Sequence, residues 1–171
     1  MLRIIGIDPG SRATGYGVIE SDGVNSTHLA HGVLRLEGEA LAPRLGQIFT
    51  GITAVINEYQ PEIMAIEQVF VSKNPSSALK LGQARGAAIC AGVNLGLSVA
   101  EYSPRGIKQA IVGTGRAEKE QVQHMVQMLL GLKKKPQADA ADALAVALSH
   151  AHTSKMAFVR STTRSARGFQ R

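Results

Sequence analysis

Apolar and polar residues follow one another in blocks whose spacing predicts strands in the first part of the chain. The apolar run over residues 2–7 is typical of a buried strand. Residues 14–20 and 28–36 predict two more strands, joined as a hairpin by the Ser21-Asp22-Gly23 turn. Two short apolar segments further along predict the remaining strands, at residues 62–68 and 99–102.

Apolar residues at three- to four-residue spacing predict amphipathic helices between and after these strands. The predicted helices cover residues 41–59, 76–95, 118–130 and 138–152. The second of them is rich in Ala and Gly, which suits close packing on the sheet or contact with a second copy of the chain. Hairpin strands followed by alternating strands and helices predict an α/β fold, with a mixed five-stranded sheet and helices on both faces.

Length and composition indicate one globular domain, over residues 1–152 of the 171, followed by a tail at 153–171. The single cysteine, Cys90, excludes a disulfide framework and a cysteine-based zinc site, and its apolar neighbours predict a buried thiol.

No apolar run approaches the roughly 20 residues of a membrane span. Asp8 interrupts the apolar start, which argues against a signal peptide. We therefore expect a cytoplasmic protein without a membrane partner.

Positive charge is unevenly distributed, although the net charge is only +6. The tail carries five basic residues and no acid, and we expect it to be disordered in isolation. Residues 70–135 carry ten Lys or Arg against three Glu, a net charge of +7, so the rest of the domain is acidic. This basic region predicts either a polyanionic partner or a set of solvated surface cations, and charge alone favours neither.

Four acidic residues interrupt apolar elements. Asp8 and Glu67 each end an apolar strand, where open α/β sheets bind ligands. Asp139 and Asp142 are three residues apart, which places both carboxylates on one face of a helix. Singly, Asp8 could anchor the turn that follows it and Asp139 could cap its helix. Together, and without Cys or paired His, the four acids favour Mg²⁺ or Mn²⁺. Two such ions would cancel the charge of four carboxylates and could catalyse phosphodiester hydrolysis.

Four motifs closely resemble the RuvC family of crossover junction endodeoxyribonucleases, which resolve Holliday junctions. They are Ile7-Asp-Pro-Gly-Ser11, Ile66-Glu-Gln-Val-Phe70, Ala78-Leu-Lys-Leu-Gly-Gln-Ala-Arg-Gly86 and Ala138-Asp-Ala-Ala-Asp-Ala-Leu-Ala145. The resemblance runs from about residue 2 to residue 152. It implies a ribonuclease H-like fold and a homodimer that makes paired, symmetric nicks in four-way junction DNA, leaving 5′-phosphate and 3′-hydroxyl ends.

The same resemblance implies the cofactor, the partners and the catalytic residues. It assigns the catalytic and metal-binding carboxylates to Asp8, Glu67, Asp139 and Asp142. Two Mg²⁺ ions are expected in each active site, with Mn²⁺ as a substitute. The family also implies a role in homologous recombination and DNA repair, beside the RuvA–RuvB branch-migration complex.

Cationic and aromatic residues near these motifs are candidates for DNA contacts. Lys108 and Lys119 could neutralise charge on the scissile phosphate, or anchor phosphates away from it. Phe70 follows Glu67 closely and could stack on a base, although a Phe is more often part of the core. Arg85 could contact phosphate or pack its own helix. The remaining candidates are expected to bind phosphate or lie beside it: Lys73, Asn74, Lys80, Arg105 and Arg116.

Three rival functions are compatible with parts of the sequence. The loop from Asp8 to Gly15 is reminiscent of the phosphate loop of actin-like ATPases, but 171 residues leave no room for their second half. A ribonuclease H-like nuclease could act on RNA or on other branched DNA. A junction-binding protein without activity is a third possibility, which the intact set of four acids does not favour.

Overall fold

A mixed five-stranded sheet forms the centre of the molecule. The computed structural model describes residues 1–70 and 74–167, with the backbone alone from residue 155 onward. Its strands are β1 (Leu2–Asp8), β2 (Ala13–Ser21), β3 (Ser26–Arg35), β4 (Ile63–Glu67) and β5 (Ser98–Tyr102), in the spatial order β3-β2-β1-β4-β5. β1, β2 and β3 pair antiparallel, whereas β4 lies parallel to both β1 and β5. The predicted sheet is therefore confirmed.

Helices cover both faces of the sheet, as the sequence predicted. They are α1 (Leu41–Tyr59), α2 (Pro75–Asn94), α3 (Pro104–Val112), α4 (Lys119–Leu129) and α5 (Ala138–Arg167). Strand residues alternate between the faces. Ile4 packs in the core that includes residues of α3, α4 and α5, and Ile5 packs in the core that includes residues of α1 and α2.

Glycines in β1 and β2 let α5 lie directly on the sheet. A Cβ atom at Gly6 would collide with the carbonyl oxygen of Ala143 in α5. At Gly15 it would collide with the carbonyl oxygen of Asp139, at the start of α5. The absence of these two side chains therefore fixes where α5, and the acids it carries, sit above the strands.

The structure differs from the sequence predictions at three places. Helix α3 was not predicted, α5 continues to Arg167 where an end near His152 was expected, and Cys90 is exposed. Cys90 lies on the outer side of α2, and the same helix buries its alanines against the core. The disorder of an isolated tail at 153–171 stays a prediction. Within the described residues, no helix is long and apolar enough to cross a membrane.

Candidate active site

Two parallel strands bring Asp8 and Glu67 to the same edge of the sheet. In the pairing of β1 with β4, Ile7 lies opposite Ile66, so the next residue of each strand is an acid. Both strands end at these residues, and Glu67 is partly buried. The sequence predicted that each acid ends its strand, and the sheet order shows that the two strands are neighbours.

Helix α5 brings the second pair of acids to the same place. Asp8 pairs with Gly15 across β1 and β2, and Gly15 touches the backbone of Asp139. Asp142 lies one turn further along α5, and the relative solvent accessibility of its side chain is 23%. The structure thus brings together Asp8, Glu67, Asp139 and Asp142, which are far apart in the chain.

The negative charges at this edge of the sheet repel one another. Burial, followed by the charges of Asp142, Glu67 and Asp139, raises the pKa of Asp8 from 3.8 to about 7, although Lys119 opposes the rise. Burial and the charge of Asp142 also raise the pKa of Glu67. A cation placed among these carboxylates would therefore be strongly stabilised.

Lys119 supplies one such cation. Its Nζ atom lies 2.6 Å from Oδ2 of Asp142, and this hydrogen bond raises the pKa of the Lys119 ammonium. Lys119 is the first residue of α4. The helix begins with a capping box, in which the backbone N–H of Glu118 donates to Oε1 of Gln121 at 2.8 Å. The capped start of α4 therefore holds the ammonium over the acids.

Lys108 reaches the same site from α3. It lines a cavity together with Glu67, Lys119 and Asp142, and its charge lowers the pKa of Glu67 against the effect of burial. This lysine could not be placed from the sequence because α3 was not predicted. The helix has a Ser103 cap whose Oγ accepts a hydrogen bond from the N–H of Gly106 at 3.1 Å, with Pro104 in its first turn.

The donor set fits a hard divalent cation in its chemistry. Four carboxylates with a surplus of negative charge are the oxygen ligands that Mg²⁺ and Mn²⁺ prefer. Among the described residues, however, no group of three or more His, Cys, Asp or Glu is arranged to hold a metal ion. The side chains would therefore have to move closer together around an ion, and the repulsion described above is the force that such an ion would relieve.

Phe70 is exposed beside the acids. Its side chain is 62% accessible, and it lines a second cavity with Asp8 and Glu67. A core role for this aromatic residue is therefore excluded. The exposed ring is free to contact a ligand that reaches the carboxylates.

Arg85 is engaged inside the protein. Its Nε atom donates to the backbone carbonyl of Glu67 at 3.0 Å, and its guanidinium lies 2.7 Å from Glu101. These contacts brace the end of β4, a role that the sequence suggested only as helix packing. A phosphate contact by Arg85 stays a prediction.

The other predicted contact residues lie mostly on the surface. Lys80, Arg105 and Arg116 are all exposed. Asn74 caps α2, because its side chain accepts a hydrogen bond from the N–H of Ser77 at 3.2 Å. Lys73 lies outside the described residues.

Known proteins are similar to this chain in sequence and in fold. The sequence profile of the family described as "Crossover junction endodeoxyribonuclease RuvC" matches residues 4–150. A protein of that name from Pseudoalteromonas atlantica is 63% identical over 155 residues, which cover 91% of this chain and 90% of the relative. One from Yersinia enterocolitica is 58% identical over the same length.

Solved structures agree with the sequence comparison. "T. thermophilus RuvC in complex with Holliday junction substrate" superposes with a TM-score of 0.86 at 36% identity, covering 92% of this chain and 97% of that one. The yeast mitochondrial Holliday junction resolvase Ydc2, at 12% identity and a TM-score of 0.57, shares the fold alone. The ribonuclease H-like fold is confirmed, and the chain belongs to the RuvC family of crossover junction endodeoxyribonucleases.

Proposed function

We propose that the chain resolves Holliday junctions by Mg²⁺-dependent hydrolysis of two symmetric phosphodiesters, which leaves 5′-phosphate and 3′-hydroxyl ends. The observation that carries this proposal is the meeting of Asp8, Glu67, Asp139 and Asp142 at one sheet edge under the ammonium of Lys119. The four carboxylates would hold two Mg²⁺ ions, or Mn²⁺ in their place. When bound, such ions activate water and stabilise the charge on the leaving oxygen.

The lysines act on the phosphate of the substrate. The relative solvent accessibility of the Lys119 side chain is 54%. The side chain can therefore turn from Asp142 towards a phosphate that enters the site. Lys108, on α3, lines the same cavity. Two cations beside the scissile phosphate offset the negative charge that builds up during hydrolysis.

Phe70 binds a base next to the scissile phosphate. The exposed ring borders the cavity that contains Asp8 and Glu67, so a base stacked on it would lie next to the reacting strand. Stacking on an aromatic ring is worth about 1–3 kcal/mol per base and tolerates any sequence. It therefore favours a substrate whose bases are already unpaired or easily opened, as they are at a junction.

A homodimer would match the two-fold symmetry of a four-way junction. We infer that α2 forms the contact, because its outer side carries Leu79 at 71% and Val93 at 57% accessibility. Gly82 and Gly86 lie on this side, and a Cβ atom at either would meet nothing within 4 Å. Glycine inside a helix costs about 1 kcal/mol relative to Ala. Nothing within the described chain requires these glycines, whereas a closely packed second copy would.

The remaining surface cations hold the junction arms. Lys80, Arg105 and Arg116 are exposed on α2, α3 and the loop before α4. Lys73, Asn74 and Arg85 belong to the same proposed set. In the cell, this activity would serve homologous recombination and DNA repair in the cytoplasm, after branch migration by RuvA–RuvB.

Nicking of an end-labelled synthetic four-way junction tests the proposal. The reaction is run with Mg²⁺, with Mn²⁺ and with a chelator, beside a linear duplex and a structured RNA. Symmetric cuts that need the metal and are confined to the junction would support it. Binding without cuts under all metal conditions would indicate a junction-binding protein, and faster cleavage of RNA would indicate an RNA-directed nuclease.

A further inference from the structure

The connection between α4 and α5 presents three consecutive lysines, Lys133, Lys134 and Lys135, to solvent. It is anchored on both sides of the lysines. Before them, the N–H of Leu132 donates to the carbonyl of Gln127 at 3.0 Å, and Nε2 of Gln127 donates to the carbonyl of Leu132 at 3.1 Å. After them, Pro136 is buried. The three lysines between these anchors are exposed.

The charge of these lysines is not neutralised by ion pairs with described residues. All three are exposed, and none has an ion-pair partner among the residues that the structure describes. The sequence has no acid between Glu120 and Asp139. Nη2 of Arg35 donates to Oε1 of Gln137 at 3.2 Å, which adds a fourth cation next to the loop. Four neighbouring cations, none of them in an ion pair among the described residues, form a surface that attracts a polyanion.

The loop leads directly into the candidate active site. Asp139 follows Lys135 by four residues, so their Cα atoms are at most about 14 Å apart even in extended chain. One DNA strand rises about 3.4 Å per nucleotide along its axis. A strand with its scissile phosphate at the carboxylates would therefore reach the lysines within about four nucleotides.

We propose that Lys133, Lys134 and Lys135 bind backbone phosphates of the cleaved DNA strand beside the reaction centre. This inference rests on the proposed function. DNA is favoured over an acidic protein because the lysines lie on the connection that leads into Asp139 and Asp142, and the reacting strand must pass that edge of the sheet. The lysines take no part in the chemical step and act on affinity.

The test is the salt dependence of junction binding, measured in a chelator so that no cleavage occurs. The variant Lys133→Gln/Lys134→Gln/Lys135→Gln is compared with the wild type and with the matched triple Arg variant, which keeps the charge. The plot of log affinity against log salt has a negative slope. In the Gln variant this slope should become less steep, by about 0.9 for each phosphate that is no longer bound. The Arg variant should keep the wild-type slope. Nicking at saturating junction should be unchanged in both.

The outcomes separate this inference from the proposed function. If the wild type neither binds nor nicks the junction, the proposed function fails. If the wild type does both and the Gln variant keeps the full salt slope, the lysine–phosphate contact alone is overturned. The lysine–phosphate contact would also be overturned if the Gln variant kept the wild-type salt slope but lost a binding to poly-glutamate peptide that the wild type shows. That result would indicate an acidic protein partner.

Discussion

The ammonium of Lys119 lies 2.6 Å from Oδ2 of Asp142 and thus holds a positive charge among four carboxylates. The pair joins the first turn of α4 to α5. Because the lysine side chain is more than half exposed, the pair adds little to stability, and its importance lies in the electrostatics of the site. In the proposed mechanism, the same ammonium serves the carboxylates in the free protein and a phosphate in the complex.

Replacement of Lys119 should slow nicking without preventing junction binding. Removal of one fixed charge that stabilises a transition state typically costs about 10²- to 10³-fold in rate, and we expect this loss for Lys119→Gln. Lys119→Arg, which keeps the charge, is the matched control and should recover part of the rate. Single-turnover nicking at saturating protein separates rate from affinity. A Gln variant with the wild-type rate would remove Lys119 from the chemistry.

Asp8→Asn should abolish nicking and keep junction binding. The change preserves the shape of the side chain but removes a charged oxygen ligand, so we expect a loss of at least about 100-fold in rate with Mg²⁺. Binding should stay the same or tighten, because one negative charge near the DNA is removed. Glu39→Gln, at an exposed carboxylate on the surface, is the control. Near-normal nicking by Asp8→Asn would contradict a metal site at this residue.

Stability without divalent cations should fall as pH rises from about 4 to about 7. Asp8 ionises at 3.8 ordinarily and at about 7 in the folded protein, so the folded state binds more protons between these values. The expected loss is on the order of 1–4 kcal/mol. This loss of stability should be smaller in Asp8→Asn, and Mg²⁺ at pH 8 should reverse it. Urea unfolding in a chelator at several pH values measures the free energy of unfolding of both proteins. An equal pH dependence in the two would argue against the raised pKa of Asp8.

Phe70→Ala should slow resolution of a fully paired junction by roughly 5- to 150-fold, the equivalent of one base stack. A junction with unpaired bases at the crossover should be slowed less, because its bases need no opening. Phe70→Trp retains an aromatic face and should restore activity. Parallel time courses on the two junctions make the comparison. Equal slowing on both substrates would mean that the ring does not act on base opening.

Gly86→Leu should weaken the proposed dimer at least about tenfold, because a large side chain would separate the two α2 helices. Gly46→Leu is the matched control: Gly46 also lies in a helix, α1, and a Cβ atom there meets nothing within 4 Å. That variant should keep the dimer and gain up to about 1 kcal/mol in stability. Sedimentation equilibrium measures the association. A Gly86→Leu dimer as tight as the wild type would exclude this face as the interface.

Much of the fold could be predicted because its strands are short apolar runs with clear turns between them. Helix α3 was missed although Ser103, Pro104 and Gly113 mark its ends, with Gly113 at a φ of 83°. Only Ile107 and Ile111 are buried in it, so its apolar pattern is too short to indicate a helix. Because α3 was not predicted, the sequence could not show where Lys108 lies relative to the acids.

The composition of the candidate site could also be predicted, but its arrangement could not. Asp8 and Glu67 end apolar strands and so indicate an edge of the sheet, whereas Asp139 and Asp142 were identified from their spacing on a helix. The ion pair between Lys119 and Asp142, and the brace from Arg85 to the carbonyl of Glu67, depend on how α2, α4 and α5 pack. Cys90 was wrongly predicted to be buried because the alanines beside it indicate a packed helix, but not which of its sides is packed.

The contact between Gly15 and the backbone of Asp139 has a consequence for biosynthesis. Asp8 and Gly15 are made early, whereas α5 leaves the ribosome after every strand and every other described helix. On a nascent chain, Asp139 and Asp142 therefore join Asp8 and Glu67 only when α5, the last helix, docks on the sheet. With the metal site proposed above, the protein would be unable to nick DNA during its own translation and would become competent only once α5 has docked.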